Sequence, residues 1–268
     1  MLFPTIIYGP VRSRRLGISL GINLMPVNAK ICTFDCIYCE CGWNKGYALV
    51  PGCDTDNKAP HPTFPAAADV CLQLGAKLQE MQQSNTIPDV ITFSGNGEPT
   101  IHPDFEQIIK DTVSLRNTYC PSAKISVLSN STQLFRPDIQ RALMLADNRI
   151  LKLDSAITRT MQLIDQPAKH DLTVQQIVTY LQPFNGNFTL QTCFLKGELP
   201  DHSLIDNTTD SEISAWLNIL PQINPKDIMI YVIDRQTPLR TLQKISPDKM
   251  EDIANQARRL GFKVSVSC

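Results

Sequence analysis

Three cysteines lie within eight residues, in the run Cys32-Thr-Phe-Asp-Cys36-Ile-Tyr-Cys39. Thiolates are the natural protein ligands of iron–sulfur clusters. Three of them on one loop can hold three irons of a [4Fe–4S] cluster and leave the fourth iron open to another ligand. A structural zinc site normally takes four ligands, so the zinc alternative also needs Cys41 or Cys53. A third alternative is that these cysteines bind no metal.

The whole chain sets the limits for that chemistry. It has 268 residues, of which 43% are hydrophobic and 19% are charged, as expected for a soluble globular protein. The net charge of −1 predicts no general attraction to nucleic acid or acidic membranes. Nine cysteines, an odd number, disfavour a disulfide scaffold. No apolar run is long enough to span a bilayer, and residues 1–8 do not resemble a signal peptide. We therefore expect a cytoplasmic protein.

Short β-branched runs alternate with amphipathic segments along most of the chain. The predicted strands cover residues 18–24, 90–93, 125–128, 150–153, 188–194, 227–232 and 263–266. The predicted helical faces cover residues 70–81, 105–113, 174–181, 213–220 and 250–260. This alternation predicts an α/β fold of parallel strands with right-handed crossovers. A partial (β/α)6 TIM-like barrel is the first choice and a doubly wound sheet is the alternative. Functional side chains are expected at the C-terminal ends of the strands.

A glycine turn follows the second predicted strand. Gly95 and Gly97 flank Asn96, and Glu98 comes next. Glycines permit unusual backbone angles and the close approach of a ligand. A phosphate-binding loop is disfavoured, because no Lys-Ser/Thr pair follows the glycines.

The cysteine loop and the glycine turn together resemble the radical S-adenosylmethionine (SAM) superfamily. The resemblance covers nearly the whole chain and implies the partial barrel of that superfamily. It also implies that SAM chelates the open iron, that Tyr38 lies near the adenine, and that the backbone of the turn binds the SAM amino group. The superfamily carries a Gly-Gly-Glu motif at this place, and here Asn96 replaces its first glycine.

The resemblance also assigns roles to polar residues at later strand ends. Ser129 and Asn130 follow the third predicted strand, and Lys152 and Asp154 close the fourth. In the superfamily such positions contact the ribose and carboxylate of SAM. The alternative is a Ser/Asn turn together with a Lys–Asp ion pair.

Two residues are candidates for a catalytic role. Cys193, on the fifth predicted strand, is either a hydrogen-atom donor or methyl carrier, or a small core residue. Arg235, after the sixth strand, either holds a substrate carboxylate or phosphate or is a solvated surface residue.

Three arginines before the cysteine loop, Arg12, Arg14 and Arg15, suggest an anion site. With the motifs above, this stretch resembles a subgroup of iron–sulfur oxidoreductases that are themselves similar to the wybutosine-synthesising tRNA enzymes. Those enzymes carry extra N-terminal cysteines, whereas none precedes Cys32. Their reaction is therefore not transferred to this chain.

The function implied by the resemblance is reductive cleavage of SAM. A reduced cluster, supplied by an electron donor such as flavodoxin or ferredoxin, yields a 5′-deoxyadenosyl radical that abstracts hydrogen from a substrate. The open substrate classes are a nucleotide or tRNA base, a peptide or protein, and a small metabolite. A zinc-binding regulatory module is the non-enzymatic alternative. We expect a single radical SAM domain over residues 1–268. Residues 26–65 would form the cluster-binding loop with a candidate lid at 40–65, and residues 246–268 a C-terminal helix and strand.

Overall fold

The computed structural model of the chain describes residues 2–13, 17–44 and 63–268. Contacts between Cα atoms divide the chain into two compact units. The first unit comprises Met1–Thr33, Asn44–Ser129 and Gln133–Arg149. The second unit comprises Phe34–Trp43, Asn130–Thr132 and Ile150–Cys268.

The first unit contains four paired strands, β1 (Ile7–Ser13), β2 (Gly17–Ile22), β3 (Val90–Phe93) and β4 (Lys124–Ser129). Strands β2, β3 and β4 run parallel, and β1 pairs antiparallel with β2. Every residue of β3 is buried. A parallel strand covered on both faces is expected to be apolar throughout, which explains why its sequence is a continuous hydrophobic run.

Three helices cover these strands: α1 (Ala67–Gln83), α2 (Phe105–Tyr119) and α3 (Pro137–Leu145). Helix α1 packs against α2, and α2 packs against α3. The buried residues of α1 are Val70, Leu74, Leu78 and Met81, the apolar stripe expected from the 3.6-residue period. A short 3₁₀ helix, Pro99–Ile101, follows the glycine turn.

The second unit contains a parallel set of strands made by β5 (Asn148–Lys152), β6 (Thr189–Glu198), β8 (Asp227–Val232) and β10 (Val264–Ser267). Residues 150–152 of β5 pair with β6, which pairs with β8, and β8 pairs with β10. The short strands β7 (Leu204–Asp206) and β9 (Gln243–Lys244) pair antiparallel with the last residues of β6.

The helices of the second unit are α4 (Thr158–Asp165), α5 (Val174–Leu181), α6 (Asp210–Ile223) and α7 (Pro247–Arg259), and the 3₁₀ helix Gln182–Phe184 follows α5. Side-chain caps begin three of them. Thr173 and Gln176 form a capping box on α5, and Ser246 accepts a hydrogen bond from Lys249 N on α7.

Thr209 is the N-cap of helix α6, and the Glu212 side chain binds elsewhere instead of completing a capping box. Thr209 accepts a hydrogen bond from Glu212 N. The Glu212 carboxylate accepts from Ser155 Oγ and Thr160 Oγ1 at 2.7 and 2.5 Å. Glu212 is buried. Its carboxylate therefore takes its hydrogen bonds from these two hydroxyls and not from the backbone N–H groups at the start of the helix.

Strands β1, β7 and β9 are not among the predicted strands, and each pairs antiparallel with its neighbour. Strand β1 contains Gly9 and Pro10, which interrupt the alternation that identifies a strand; an edge strand tolerates proline. Beyond residue 194, where the fifth predicted strand ends, β6 continues to Glu198 and β7 returns along it, with Ile205 buried. In the part of the chain that is described, no helix has the length and apolar character needed to cross a membrane.

Candidate functional site

The main chain around Cys32 is held by hydrogen bonds within the first unit. Cys32 N donates to Asn44 Oδ1 and Asn44 Nδ2 donates to Cys32 O, both at 3.0 Å. The preceding residue, Ile31, donates its N–H to Asn96 O at 2.9 Å and accepts from Glu98 N at 3.1 Å. The first cysteine of the triplet is therefore fixed to the glycine turn predicted to bind SAM, and Asn44 is a positioning residue that no local motif indicates.

The two glycines of the turn are required by their surroundings. Gly95 has a φ of +140° and Gly97 a φ of +150°, in the region that disfavours side chains. A Cβ at Gly97 would lie 1.7 Å from Ile31 O, and one at Gly95 would lie 2.5 Å from Asn23 Oδ1. The turn can approach Asn23 and Ile31 only because both positions lack a side chain.

The Asn96 side chain is fully buried and makes three hydrogen bonds. Its Oδ1 accepts from Phe3 N at 2.7 Å, and its Nδ2 donates to Phe3 O and Pro26 O, both at 2.9 Å. Its backbone N–H donates to Asn23 Oδ1 at 2.9 Å. Where the superfamily motif has glycine, this chain has an amide that ties the N-terminal segment to the turn.

The other two predicted positions of the first unit are also buried. Glu98 Oε1 accepts from Thr100 N and Thr100 Oγ1 at 3.1 and 2.6 Å, so its carboxylate caps the 3₁₀ helix that follows. Ser129 is the last residue of β4.

In the second unit, the C-terminal end of helix α4 forms backbone hydrogen bonds with the part of the cysteine loop around Cys36. Asp35 N donates to Asp165 O at 2.8 Å, and Ile37 N donates to Ile164 O at 2.9 Å. Cys39 N then donates to Cys36 O at 3.0 Å, which closes a turn between the second and third cysteines. Cys36 and Cys39 are thus presented by backbone pairing with a helix terminus.

Lys152, at the end of β5, meets this loop directly. Its Nζ donates to Cys36 Sγ at 2.9 Å and to Asp165 Oδ1 at 2.6 Å, and it lies 3.1 Å from Asp154 Oδ2. The side chain is only 10% exposed. Burial lowers the pKa of Lys152, but attraction by Asp154 and Asp165 outweighs burial and holds this pKa well above its usual value. Lys152 is therefore an ammonium.

Aromatic rings and a second carboxylate complete the surroundings of Lys152. Its Nζ lies 5.1 Å from the centre of the Phe34 ring and 4.8 Å from that of Tyr38, within the range of cation–π attraction. Burial raises the pKa of Asp165 to about 7; Lys152 opposes that rise and Asp154 reinforces it. The ammonium therefore lies beside two buried acids, Asp154 and Asp165.

A chain of hydrogen bonds leads from Asp154 deeper into the second unit. Tyr38 Oη donates to Asp154 Oδ2 in a short hydrogen bond, and Tyr38 Oη and Tyr231 Oη are 3.3 Å apart. Cys193 N donates to Asp154 Oδ1 at 2.9 Å. Burial, reinforced by neighbouring charge, raises the pKa of Tyr38, Tyr231 and Cys193 well above their usual values, so these three groups keep their protons at neutral pH.

Asn207 joins the segment after β5 to β6, next to this series of hydrogen bonds. Its Nδ2 donates to Asp154 O and Cys193 O, both at 2.8 Å, and its Oδ1 accepts from Leu195 N at 2.8 Å. Cys193 is fully buried in an apolar cluster with Ile37, Ile164, Leu195, Leu199, Ile205 and Ile233. Thr192, on the opposite face of β6, donates to Leu153 O and accepts from Trp216 Nε1.

The remaining predicted residues of the second unit lie apart from Cys36 or on the surface. Asn130 Oδ1 accepts from Thr132 N and Thr132 Oγ1, which forms a local turn. Arg235 is 73% exposed and pairs with Glu40 at 2.8 Å. Exposed pairs of this kind add little stability.

Some predicted features lie partly or wholly outside the described residues. Arg14, Arg15 and Cys53 do, as do residues 45–62 of the candidate lid. Arg12 is exposed on β1.

The donor chemistry of the loop fits an iron–sulfur cluster. Cys36 Sγ accepts a hydrogen bond from an ammonium, and a cation beside sulfur stabilises the thiolate, the form that binds metals. Within residues 2–13, 17–44 and 63–268, no three His, Cys, Asp or Glu side chains form a group that could hold one metal ion.

Several known proteins resemble the chain in sequence. It is 31% identical over 244 residues to a UPF0026 protein of Synechocystis sp., covering 89% of this chain and 78% of that protein. It is 29% identical over 255 residues to a UPF0026 protein of Methanocaldococcus jannaschii, covering 93% and 69%. It is also 26% identical over 248 residues to a GTPase Obg of Brachyspira hyodysenteriae, covering 91% of this chain but only 32% of that protein. No family model matches the chain.

Solved structures of radical SAM enzymes share its fold. A radical SAM methyltransferase from Sphaerobacter thermophilus has a TM-score of 0.62 at 11% identity, covering 92% of this chain and 65% of the other. TYW1 with a lysine–pyruvate adduct has a TM-score of 0.60 at 12% identity, covering 90% and 73%. Streptococcus suis SuiB bound to S-adenosylmethionine has a TM-score of 0.58 at 10% identity, covering 89% and 48%. The α/β fold of the radical SAM type, predicted as a partial (β/α)6 barrel, is confirmed by this likeness.

Proposed function

Because the chain belongs to the UPF0026 family and has the fold of radical SAM enzymes, we propose that it is a radical SAM enzyme. Cys32, Cys36 and Cys39 hold a [4Fe–4S] cluster, and SAM binds at its open iron. The observation that carries the proposal is the buried ammonium of Lys152 at 2.9 Å from Cys36 Sγ, on a loop with the cysteine spacing of that superfamily.

When bound, the cluster and SAM would supply the difficult chemistry, reductive cleavage of SAM and abstraction of a hydrogen atom from the substrate. A small electron-transfer protein such as flavodoxin or ferredoxin would reduce the cluster. We keep a nucleotide or tRNA base as the first substrate hypothesis, with a peptide or protein and a small metabolite as the others.

The residues of the chain bind and orient the cofactors. The backbone of the glycine turn would hold SAM in the first unit, since the side chains of Asn96 and Glu98 are already engaged in structural hydrogen bonds. Tyr38 and Asp154, in the second unit, stay predicted SAM contacts; the Asp154 carboxylate is buried and accepts hydrogen bonds from Tyr38 Oη and Cys193 N. Ser129 and Asn130 stay predicted SAM contacts.

The second unit also excludes water from the cysteine loop. Ile37, between two of the cysteines, is buried in the apolar cluster that contains Cys193. An apolar surface on this side of the loop suits radical chemistry, because excluding water limits side reactions. Cys193 is fully buried and keeps its thiol proton, which favours its role as a core residue over that of a catalytic group. Arg235 would meet a substrate only after leaving Glu40.

Metal and product analysis test the proposal. Protein purified and reconstituted without oxygen should contain about four irons per chain and should form 5′-deoxyadenosine from SAM when dithionite is added. Alanine at Cys32, Cys36 or Cys39 should abolish both, whereas Cys71→Ala, on helix α1, should change neither. Stoichiometric zinc without iron would instead support the zinc-binding regulatory module.

A further inference from the structure

The ammonium of Lys152 has three N–H groups, and three acceptors surround it. These acceptors are Cys36 Sγ, Asp154 Oδ2 and Asp165 Oδ1, at 2.9, 3.1 and 2.6 Å. The ammonium of Lys152 therefore has a partner within the protein for each of its N–H groups. The resemblance to the superfamily gives Lys152 a different role, as a contact of the SAM carboxylate.

Stability alone does not account for this arrangement. Buried ion pairs are often no more stabilising than apolar side chains of the same volume, because desolvation offsets the attraction. Two acids beside one lysine make the arrangement still more demanding, as the raised pKa of Asp165 indicates. The contact that an apolar side chain could not replace is the hydrogen bond to Cys36 Sγ.

Asp165 links this lysine to the backbone of the cysteine loop. Its carbonyl oxygen accepts from Asp35 N, next to Cys36, and its carboxylate accepts from Lys152 Nζ. One residue at the end of α4 therefore sets the position of both the loop and the ammonium. Phe34 and Tyr38 confine the ammonium from their ring faces.

We propose that Lys152, held by Asp165, is a positioning residue that fixes Cys36 Sγ and raises the reduction potential of the [4Fe–4S] cluster. The inference rests on the proposed function. One-electron reduction makes the cluster more negative by one charge, and a cation that donates a hydrogen bond to a ligand sulfur stabilises that charge. Hydrogen bonds to the sulfurs and the net charge nearby are known determinants of cluster potential.

The test is a potentiometric titration of the reconstituted cluster without SAM, with the reduced form measured by electron paramagnetic resonance (EPR). Leaving SAM out separates this role from binding of the SAM carboxylate. Lys152→Met removes the charge and the donors, Lys152→Arg keeps both, and Lys169→Met replaces a half-exposed lysine of the same unit as a control.

We expect Lys152→Met to lower the ratio of reduced to oxidised cluster about tenfold at a fixed solution potential, or about 59 mV for a one-electron couple. Lys152→Arg should restore most of the ratio, and Lys169→Met should match the wild type. If Lys152→Met does not fold because Asp165 loses its partner, the double variant Lys152→Met/Asp165→Asn removes that unpaired carboxylate. It should show a smaller lowering than that expected for Lys152→Met, because it also removes one negative charge, and its ratio should lie below that of Asp165→Asn alone.

Two results would overturn the inference. One is an unchanged cluster potential in a folded variant that lacks Lys152, even if SAM binding is weakened. The other is loss of the cluster from folded Lys152→Arg as well as from Lys152→Met. Wild-type protein that takes up no cluster would contradict the proposed function itself. This outcome is distinct from the two results that overturn only the role of Lys152.

Discussion

The hydroxyl of Tyr38 donates a hydrogen bond to Asp154 Oδ2, joining the residue before the third cysteine to the loop that follows β5, 116 residues later. Tyr38 is partly buried and Asp154 is fully buried, and Asp154 also accepts the N–H of Cys193. The cysteine loop is therefore anchored by a side chain as well as by its backbone.

Removing this hydroxyl should destabilise the protein. Tyr38→Phe leaves a buried carboxylate without one of its donors, which costs about 1–3 kcal/mol. Tyr231→Phe is the matched variant, because the Tyr231 hydroxyl reaches Tyr38 only at 3.3 Å. Urea unfolding should give the larger loss of free energy for Tyr38→Phe. Equal losses would show that the bond to Asp154 adds nothing specific.

Gly97 should tolerate no side chain. In Gly97→Ala the Cβ meets Ile31 O at 1.7 Å with φ at +150°, so the bonds between Ile31 and the turn must break. We expect a loss of more than about 3 kcal/mol in the free energy of unfolding. Gly261→Ala, where φ is +94° and the space is open, should cost only about 1–2 kcal/mol. A Gly97→Ala protein as stable as Gly261→Ala would contradict the close approach of the glycine turn to Ile31.

Much of the fold follows from hydrophobic periodicity. The bounds of β3 and β8 agree with the predicted 90–93 and 227–232, because both strands are short apolar runs between turn signals. Helix α4 gives no such signal: its apolar face, chiefly Met161 and Ile164, is too short for a period to show. Strand β1 is hidden by Gly9 and Pro10.

The residues of the candidate site also fall into two groups, those that the sequence predicts and those that it does not. Cys32, Cys36 and Cys39 are found from their spacing, which is local information. Asp165 and Tyr231 are not, because their partners lie many residues away and nothing in the neighbouring sequence marks them. A buried polar residue acquires its role from tertiary contacts, which spacing along the chain does not encode.

Asn96 should contribute more to the order of the N-terminal segment than to the affinity for SAM. Asn96→Gly restores the superfamily motif but removes the three side-chain bonds to Phe3 and Pro26. We expect a loss of about 1–3 kcal/mol and faster hydrogen exchange at Phe3, while SAM affinity stays close to that of the wild type. A large loss of SAM affinity with normal exchange at Phe3 would show that the amide contacts the cofactor.

His102 should make stability depend on pH. Its Nε2 lies 2.8 Å from Pro65 O and its Nδ1 accepts from Asp104 N, so the ring is neutral with the proton on Nε2. Burial lowers the pKa of His102 below its ordinary value of 6.5. The unfolded chain therefore binds the proton first, and this contribution to stability, complete above pH 6.5, is lost as the pH falls through the folded-state pKa.

Replacing His102 isolates that contribution. His102→Gln should flatten the fall of the thermal midpoint between pH 7 and about pH 5.5, the range in which an ordinary histidine titrates. His170→Gln, at an exposed position, should leave the pH profile as in the wild type. Identical profiles for His102→Gln and the wild type would contradict a buried neutral imidazole.

The most direct test of the central claim is the EPR spectrum of the dithionite-reduced, reconstituted protein, recorded with and without SAM. We predict the signal of a reduced [4Fe–4S] cluster that changes shape when SAM is added, because SAM binds at the iron that the cysteines leave open. Cys36→Ala should show neither the signal nor the change. A cluster signal that SAM does not alter, or iron-free protein containing zinc, would contradict the account.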